Sequence, residues 1–283
     1  MLFVDTHAHV NFSAFQEDAE PTIQRALDAG VWVVNVGTQI STSREAVVIA
    51  NKWKEGVYAV IGIHPVHTYS QDLQEEETQF KTREEKFDYE VYKILAQNPK
   101  VVGIGECGLD YFRLPEGADP APIKKLQAEA FIEQLRLAKE LNKALVIHSR
   151  SSKDSDDACL DIMDILQQEG VKDLRFVLHS YTGSPDVAKL FVALGAYISF
   201  NGILTFDKTG NMEKVLRGVP MEKVLLETDS PYLTPSPNRG KRNEPSYVQF
   251  VAEHVARLKG LSVQEVAKAT FENSCEFYGF TTI

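Results

Sequence analysis

What most constrains this chain is a rhythm. Eight short, almost wholly apolar, β-branched runs recur at residues 3–9, 31–37, 57–64, 101–106, 144–148, 175–179, 196–200 and 224–228. Most read as continuous apolar segments, the pattern of strands covered on both faces. Longer stretches with helical spacing lie between them. Residues 126–141 carry apolar side chains at 126, 130, 131, 135, 137, 138 and 141, one face of a helix. Residues 185–194 follow Ser184, a helix-capping residue type. Strands alternating with helices imply parallel βαβ units, and eight of them imply a closed (β/α)8 TIM barrel of the α/β class, one domain over 1–283. An open doubly wound sheet is the alternative. It is disfavoured because no glycine-rich dinucleotide fingerprint follows the first run.

A chain of 283 residues buries a core large enough to need no disulfide or structural metal, so metal-ligating residues here point to catalysis. The formal charge of −10 argues against a broadly basic, duplex-coating surface but leaves room for a locally positive site. Cys107, Cys159 and Cys275 are odd in number and form no CxxC pair. They read as buried free thiols in a reducing compartment. The start MLFVDTHAHV has no basic segment leading into a long apolar one, and no run approaches a membrane span. The expectation is a cytoplasmic protein with no membrane association and no obligate protein partner. The charged stretch at 71–90 reads as a solvated helix or mobile loop, and the proline-rich 234–245 as a structured loop or lid.

Ionisable residues fall where the apolar runs end: His7 and His9, His64, Glu106, His148, His179 and Asp229. In a barrel these project at the C-terminal rim, where barrel enzymes keep their chemistry. Strand side chains alternate, so His7 and His9 share a face about 6–7 Å apart at the backbone, close enough to grip one cation. Four imidazoles and two carboxylates on one rim are too many for one tetrahedral site and suit two cations sharing a carboxylate. His67 and His254 fall outside this pattern and read as surface residues.

The motifs DTHAH at 5–9, GIHP at 62–65, GECGLDY at 105–111, IHSR at 147–150, HSYTG at 179–183, ETDSPYL at 227–233 and RGKRNEP at 239–245 occur in the order found in the TatD family of metal-dependent deoxyribonucleases, within the wider amidohydrolase group of barrels. The chain resembles that family along its whole length. The resemblance implies that His7, His9, Glu106 and Asp229 hold one metal, and that Glu106, His148 and His179 hold a second, with Glu106 bridging. It implies that His64 contacts the substrate phosphate. Many members carry HCFSG where this chain has HSYTG, and the polar stretch at 151–157 is longer than usual.

The expected chemistry is phosphodiester hydrolysis of DNA, as an exonuclease on single-stranded ends, with two divalent cations (Mg²⁺, Mn²⁺ or Zn²⁺) stabilising the attacking and leaving oxygens. Asp229 is the expected base, Glu106 the shared ligand and His64 a donor to a phosphate oxygen. Arg113, Arg150, Arg239 and Arg242 are candidates for outer phosphates, though each is equally readable as an ordinary exposed arginine. Tyr111, Phe112 and Tyr232 are candidates for stacking bases. The rival activity is a two-metal amidohydrolase or esterase acting on a small neutral substrate; a second rival is a non-enzymatic binding protein, which would show a damaged ligand set.

Overall fold

The computed structural model describes residues 2–70, 72–75, 78–81, 84–115 and 117–280. The order is β1 (Phe3–Ala8), α1 (Ala19–Asp28), β2 (Val31–Val36), α2 (Ile40–Asn51), β3 (Val57–Ile61), β4 (Asp72–Glu75), β5 (Thr78–Lys81), α3 (Tyr89–Leu95) and β6 (Val101–Asp110). It continues with α4 (Pro120–Glu140), β7 (Ala144–Arg150), α5 (Asp157–Glu169), β8 (Phe176–His179), α6 (Pro185–Ala193), β9 (Tyr197–Phe200), α7 (Ile203–Phe206) and α8 (Asn211–Gly218). The last elements are β10 (Val224–Leu226), α9 (Val248–Lys259) and α10 (Val263–Tyr278).

Eight strands pair in parallel in the order β1-β2-β3-β6-β7-β8-β9-β10. Side chains complete the seam between β10 and β1. Thr6 Oγ1 donates to Leu226 O at 2.9 Å, and Thr228 donates to the Asp5 carboxylate through its N–H at 2.8 Å and its hydroxyl at 2.5 Å. A bridge pairs Ala8 with Ser230. The result is a nearly closed (β/α)8 barrel in one domain, as the rhythm of apolar runs predicts.

Strand alternation sorts the apolar side chains into two layers. Val4, Val34, Val60, Val146, Val177 and Leu225 form one buried cluster with Phe277, Tyr278 and Phe280. These alternate with Phe3, Val33, Ile61, Leu145, Phe176 and Leu226, which pack with helical residues such as Phe131 and Leu135. The first set is therefore the barrel interior, stoppered by the end of α10. Tyr278 fixes the stopper by donating its hydroxyl to Thr6 O at 2.9 Å. Burial of a Phe131 or Leu135 side chain contributes about 1.5–3 kcal/mol.

The strands are not regular at the site. The β6–β7 register passes from Ile104↔Leu145 to Cys107↔Ile147, so one extra residue bulges out around Glu106. A similar shift on β1 lies between Asp5 and Ala8 and includes His7. Gly108 makes the β6 geometry possible: its φ is +135°, and a Cβ there would lie 2.1 Å from His148 O.

Several expectations need correction. Glu106 is not at a strand end, because β6 continues past the bulge to Asp110. His64 follows β3 in a turn rather than ending it. Within 71–90 the described parts are an antiparallel hairpin, with Asp72 opposite Lys81 and Glu75 opposite Thr78, followed by the start of α3, in place of one solvated helix or loop. His67 is buried, at 8% exposure, and His254 is half-buried. Cys107 and Cys159 are buried free thiols, but Cys275 is half-buried. The 234–245 loop is well pinned: Asn243 Nδ2 donates to Thr228 O and Tyr232 O, and Thr234 Oγ1 donates to Lys241 O.

Candidate metal centre

Six side chains expected from the sequence converge on one point at the barrel mouth, with Glu106 in the middle. Its Oε1 lies 2.8 Å from His179 Nε2, 2.9 Å from His148 Nδ1 and 3.4 Å from His64 Nε2. Its Oε2 lies 3.4 Å from His7 Nε2 and 3.7 Å from His9 Nε2. Asp229 Oδ1 approaches His9 Nε2 at 3.4 Å and His7 Nε2 at 3.8 Å. The two oxygens of Glu106 thus divide the donors: His7 and His9, with Asp229, on one side; His148 and His179 on the other. The Asp229 side chain is 16% exposed against 4% for Glu106, so it faces the opening. Its backbone sits at φ +56°, a conformation asparagine and aspartate tolerate better than most residues. Its N–H donates to His7 O at 2.9 Å, which ties it to the ligand strand.

The tautomers follow from what holds each ring from behind. His9 Nδ1 faces Val36 O at 2.9 Å, so it carries the proton and Nε2 presents a bare lone pair. His148 Nε2 faces Asp110 Oδ2 at 3.1 Å, so the bare nitrogen is Nδ1, which faces Glu106. His179 Nδ1 lies 3.4 Å from Glu227 Oε1, an ion-pair distance rather than a well-directed hydrogen bond, again leaving Nε2 for Glu106. His7 and His9 place their Nε2 atoms 3.2 Å apart. Bare lone pairs thus face carboxylate oxygens and one another, an arrangement that repels unless positive charge lies between. This donor set fits divalent cations bound by mixed imidazole and carboxylate. Ligand atoms of His7, His9 and Glu106 all lie within 4.8 Å of one another, as do those of His7, His179 and Asp229.

His64 behaves differently. Val66 N–H donates to its Nδ1 at 3.2 Å, so its proton is on Nε2 and the site sees a donor. It falls within 4.8 Å of Glu106 and His148 donor atoms, but a neutral ring with a committed Nδ1 cannot also ligate through Nε2. Proton affinities agree. Burial, then the neighbouring His148, pushes His64 well below the usual imidazole range. Burial also opposes charge on His179, yet Glu106 and Glu227 outweigh it and lift that ring well above the range. Burial works against Glu106 too, but the imidazoles of His179, His64 and His7 hold its carboxyl well below the ordinary value. The centre as built calls for positive charge on one group of rings and a neutral donor at His64.

The four arginines separate. Arg113 lies close enough to disfavour a proton on His64, with Nη1 3.7 Å from Asp110 Oδ2. The Arg150 guanidinium stacks 4.3 Å from the ring centre of Phe112, which is 53% exposed. Arg239 stacks on Phe206 and donates to Thr234 O. Arg242 is committed elsewhere, with two bonds to the Asp18 carboxylate and one to Ala14 O. Tyr111 is buried and donates to Asp161, so its ring is not open to stacking, while Tyr232 is half-buried.

Sequence reasoning missed the supports. Asp5, Asp110 and Glu227 are all fully buried carboxylates close behind the ligands. Gln127 and Gln134, two turns apart on α4, are fully buried as well. Gln127 accepts from Asp110 N at 2.9 Å and donates to Asp110 O at 3.1 Å. Gln134 does the same for Ile63, next to His64, at 2.8 and 3.0 Å. Gly62 lies so near that a Cβ would come within 2.4 Å of Gln134 Oε1. The available signal was two amides seven residues apart within a stripe otherwise packed on the barrel.

The family model described as TatD related DNase matches residues 4–279. The chain is 40% identical over 275 residues to a protein of Bacillus subtilis (strain 168) called uncharacterized metal-dependent hydrolase YabD, covering 97% of each. It is 33% identical over 282 residues to the uncharacterized metal-dependent hydrolase YcfH of Escherichia coli (strain K12), covering 98% of this chain and 96% of that one. The crystal structure of YjjV, a TatD homologue from Escherichia coli K12, superposes with a TM-score of 0.81 at 26% identity, covering 99% of this chain and 98% of the other.

Proposed function

The chain belongs to the TatD-related DNase family of metal-dependent hydrolases, and from that premise we propose that it hydrolyses phosphodiester bonds of DNA, working inward from single-stranded ends. The observation that carries the proposal is the divided rim: four imidazole lone pairs and two carboxylates converge, while a fifth imidazole, His64, offers an N–H to the same space. In this reading His7, His9, Asp229 and Glu106 hold one divalent cation, and Glu106, His148 and His179 hold another. When bound, two such cations supply Lewis-acid charge and ready deprotonation of water near neutral pH, whether they are Mg²⁺, Mn²⁺ or Zn²⁺.

The chain's own groups do the rest. Asp229, at the open edge of the cluster, orients the attacking water and takes its proton. His64 Nε2–H donates to a non-bridging phosphate oxygen, where negative charge grows in the transition state. It can do so because it stays neutral and its Nδ1 is committed to Val66. Arg113 lies beside it, suited to the next phosphate. Arg150 stacked on exposed Phe112 forms a flat, cationic face suited to a nucleobase. Arg239, stacked on Phe206, is a candidate for an outer phosphate, while Arg242 is held by Asp18 and Ala14 O and is given no phosphate in this reading. We place the enzyme in a reducing, cytoplasmic setting on the strength of its three free thiols. No helix among the described residues is long and apolar enough to cross a membrane.

The test is a time course on end-labelled single-stranded DNA with metal-stripped protein, with Mg²⁺ or Mn²⁺ restored, and with Glu106→Ala. Metal-dependent shortening that the variant loses supports the proposal, and the ladder shows which end is attacked. Intact DNA in the presence of protein shown to hold metal would replace DNA with a small amide or ester as substrate.

A further inference from the structure

Each ligand imidazole needs its outer nitrogen occupied if its inner nitrogen is to stay bare. The supports differ between the two halves of the centre. Behind His9 stands a neutral carbonyl, Val36 O. His7 Nδ1 finds no hydrogen-bond partner among the described residues. Behind His148 stands a carboxylate, Asp110, fully buried, with Oδ2 3.1 Å from Nε2. Behind His179 stands another, Glu227, at 3.4 Å. On the side of Asp229, then, no carboxylate faces the outer nitrogen of a ligand ring: Val36 O holds His9, and the buried Asp5 accepts the backbone N–H of His7 instead. On the other side both outer nitrogens face carboxylates.

Asp110 also does more than face His148. Its Oδ1 accepts from Phe112 N at 3.1 Å and Arg113 N at 2.9 Å, and its own backbone is clamped by Gln127. One buried side chain therefore fixes a ligand ring with one oxygen and the turn bearing Phe112 and Arg113 with the other.

We propose that Asp110 is a positioning residue for one cation of the pair: it holds His148 in the Nε2–H tautomer with Nδ1 turned into the site, and it places a second anionic group, in addition to Glu227, just behind the ligands of this half. This rests on the two-cation reading above. A carboxylate behind a ligand imidazole fixes ring orientation and raises its basicity, and its loss costs about 10–100-fold in metal affinity. In Asp110→Asn the oxygen still satisfies the two backbone N–H groups of the turn. The amide nitrogen then faces His148 Nε2, and the ring must present Nε2 as the acceptor. The proton moves to Nδ1, where it blocks the lone pair the cation needs.

The experiment titrates Mn²⁺ into metal-stripped wild type, Asp110→Asn, His148→Ala and the double variant, following binding by calorimetry. Wild type should take two equivalents. Asp110→Asn should weaken one by about 10–100-fold and leave the other within about threefold, and the loss should vanish in the His148→Ala background. A merely structural role would weaken both equivalents together. Should Asp110→Asn fail to fold, long-range ¹H–¹⁵N spectra of the wild-type imidazoles, with Zn²⁺ as the diamagnetic probe, decide the matter: His148 must show the Nε2–H tautomer, with His148→Ala assigning the signal. Two wild-type equivalents with unchanged affinities in a folded Asp110→Asn, or an Nδ1–H tautomer, would overturn the role of Asp110 alone. Fewer than two equivalents in wild type would remove the two-cation reading and this inference with it.

Discussion

Gln134→Leu tests how the barrel holds His64 in place. The side chains are similar in size, and the site is fully buried, so the change removes hydrogen bonds with little loss of volume. Two backbone groups of Ile63, the N–H at 2.8 Å and the C=O at 3.0 Å, lose their partner. An orphaned buried polar group costs about 1–3 kcal/mol, and added apolar burial offsets roughly 1–2 kcal/mol of the total. The net loss is roughly 1–4 kcal/mol. For a chain of this length that lowers Tm by about 2–8 °C, taking roughly 2 °C per kcal/mol. The effect on activity should be selective. Ile63 precedes His64, which donates to substrate, and neither is a ligand in this reading. Metal uptake should therefore stay at wild-type level while kcat on a phosphodiester falls at least about 10-fold, since displacement of about 1 Å can cost about 100-fold. Calorimetric melting, metal titration and single-turnover assays read the three quantities. A Tm within about 1 °C of wild type, or a variant that loses metal along with activity, would refute the reasoning.

Gln127→Leu makes the same cut at Asp110, so it should weaken one metal equivalent and spare the other, measured by the same titration. His64→Ala should keep both equivalents and lose about 100–1000-fold in kcat; unchanged kcat with bound metal would remove His64 from the chemistry. His67 gives a pH signature. Burial pulls its pKa from 6.5 to about 4, so the unfolded chain binds the extra proton between those values. The folded protein therefore loses stability as pH falls from about 6.5 towards 4, by about 2–4 kcal/mol from this one group. His67→Asn should flatten that limb in denaturant melts at pH 7 and pH 4.5; an unchanged limb would show that other groups set the acid sensitivity.

The sequence made the barrel and its converging donors readable for one physical reason. Parallel strands covered on both faces must be apolar along their length, so a polar residue at the end of such a run stands out. His7, His9, His179 and Asp229 stand out in that way, and so does His148, although β7 runs two residues past it to Arg150 instead of ending there. Glu106 was found at the right position for an incomplete reason, since its run continues to Asp110 and a bulge, not a strand end, turns it to the mouth. The stretch at 71–90 misled because its charged residues follow no clear apolar period, and a backbone-paired hairpin leaves no stripe to read. What the pattern could not carry is direction. Asp110 and Glu227 lie within or beside the same motifs as the ligands, yet they act from behind. Only the pairing of β6 with β7, which sets Gly108 opposite His148 and Asp110 opposite Arg150, brings the Asp110 carboxylate to the back of the His148 ring. The glutamines of α4 were hidden more thoroughly. Residues 127, 131, 134 and 138 form one buried stripe, and two of its four members are amides whose partners lie on segments distant in sequence. A helix that packs on a barrel must meet strand-end backbone left unpaired where the sheet stops, so a buried amide there is evidence of a site held from behind. By that criterion the groups most needed to set geometry in this centre are the polar residues that apolar patterning passes over.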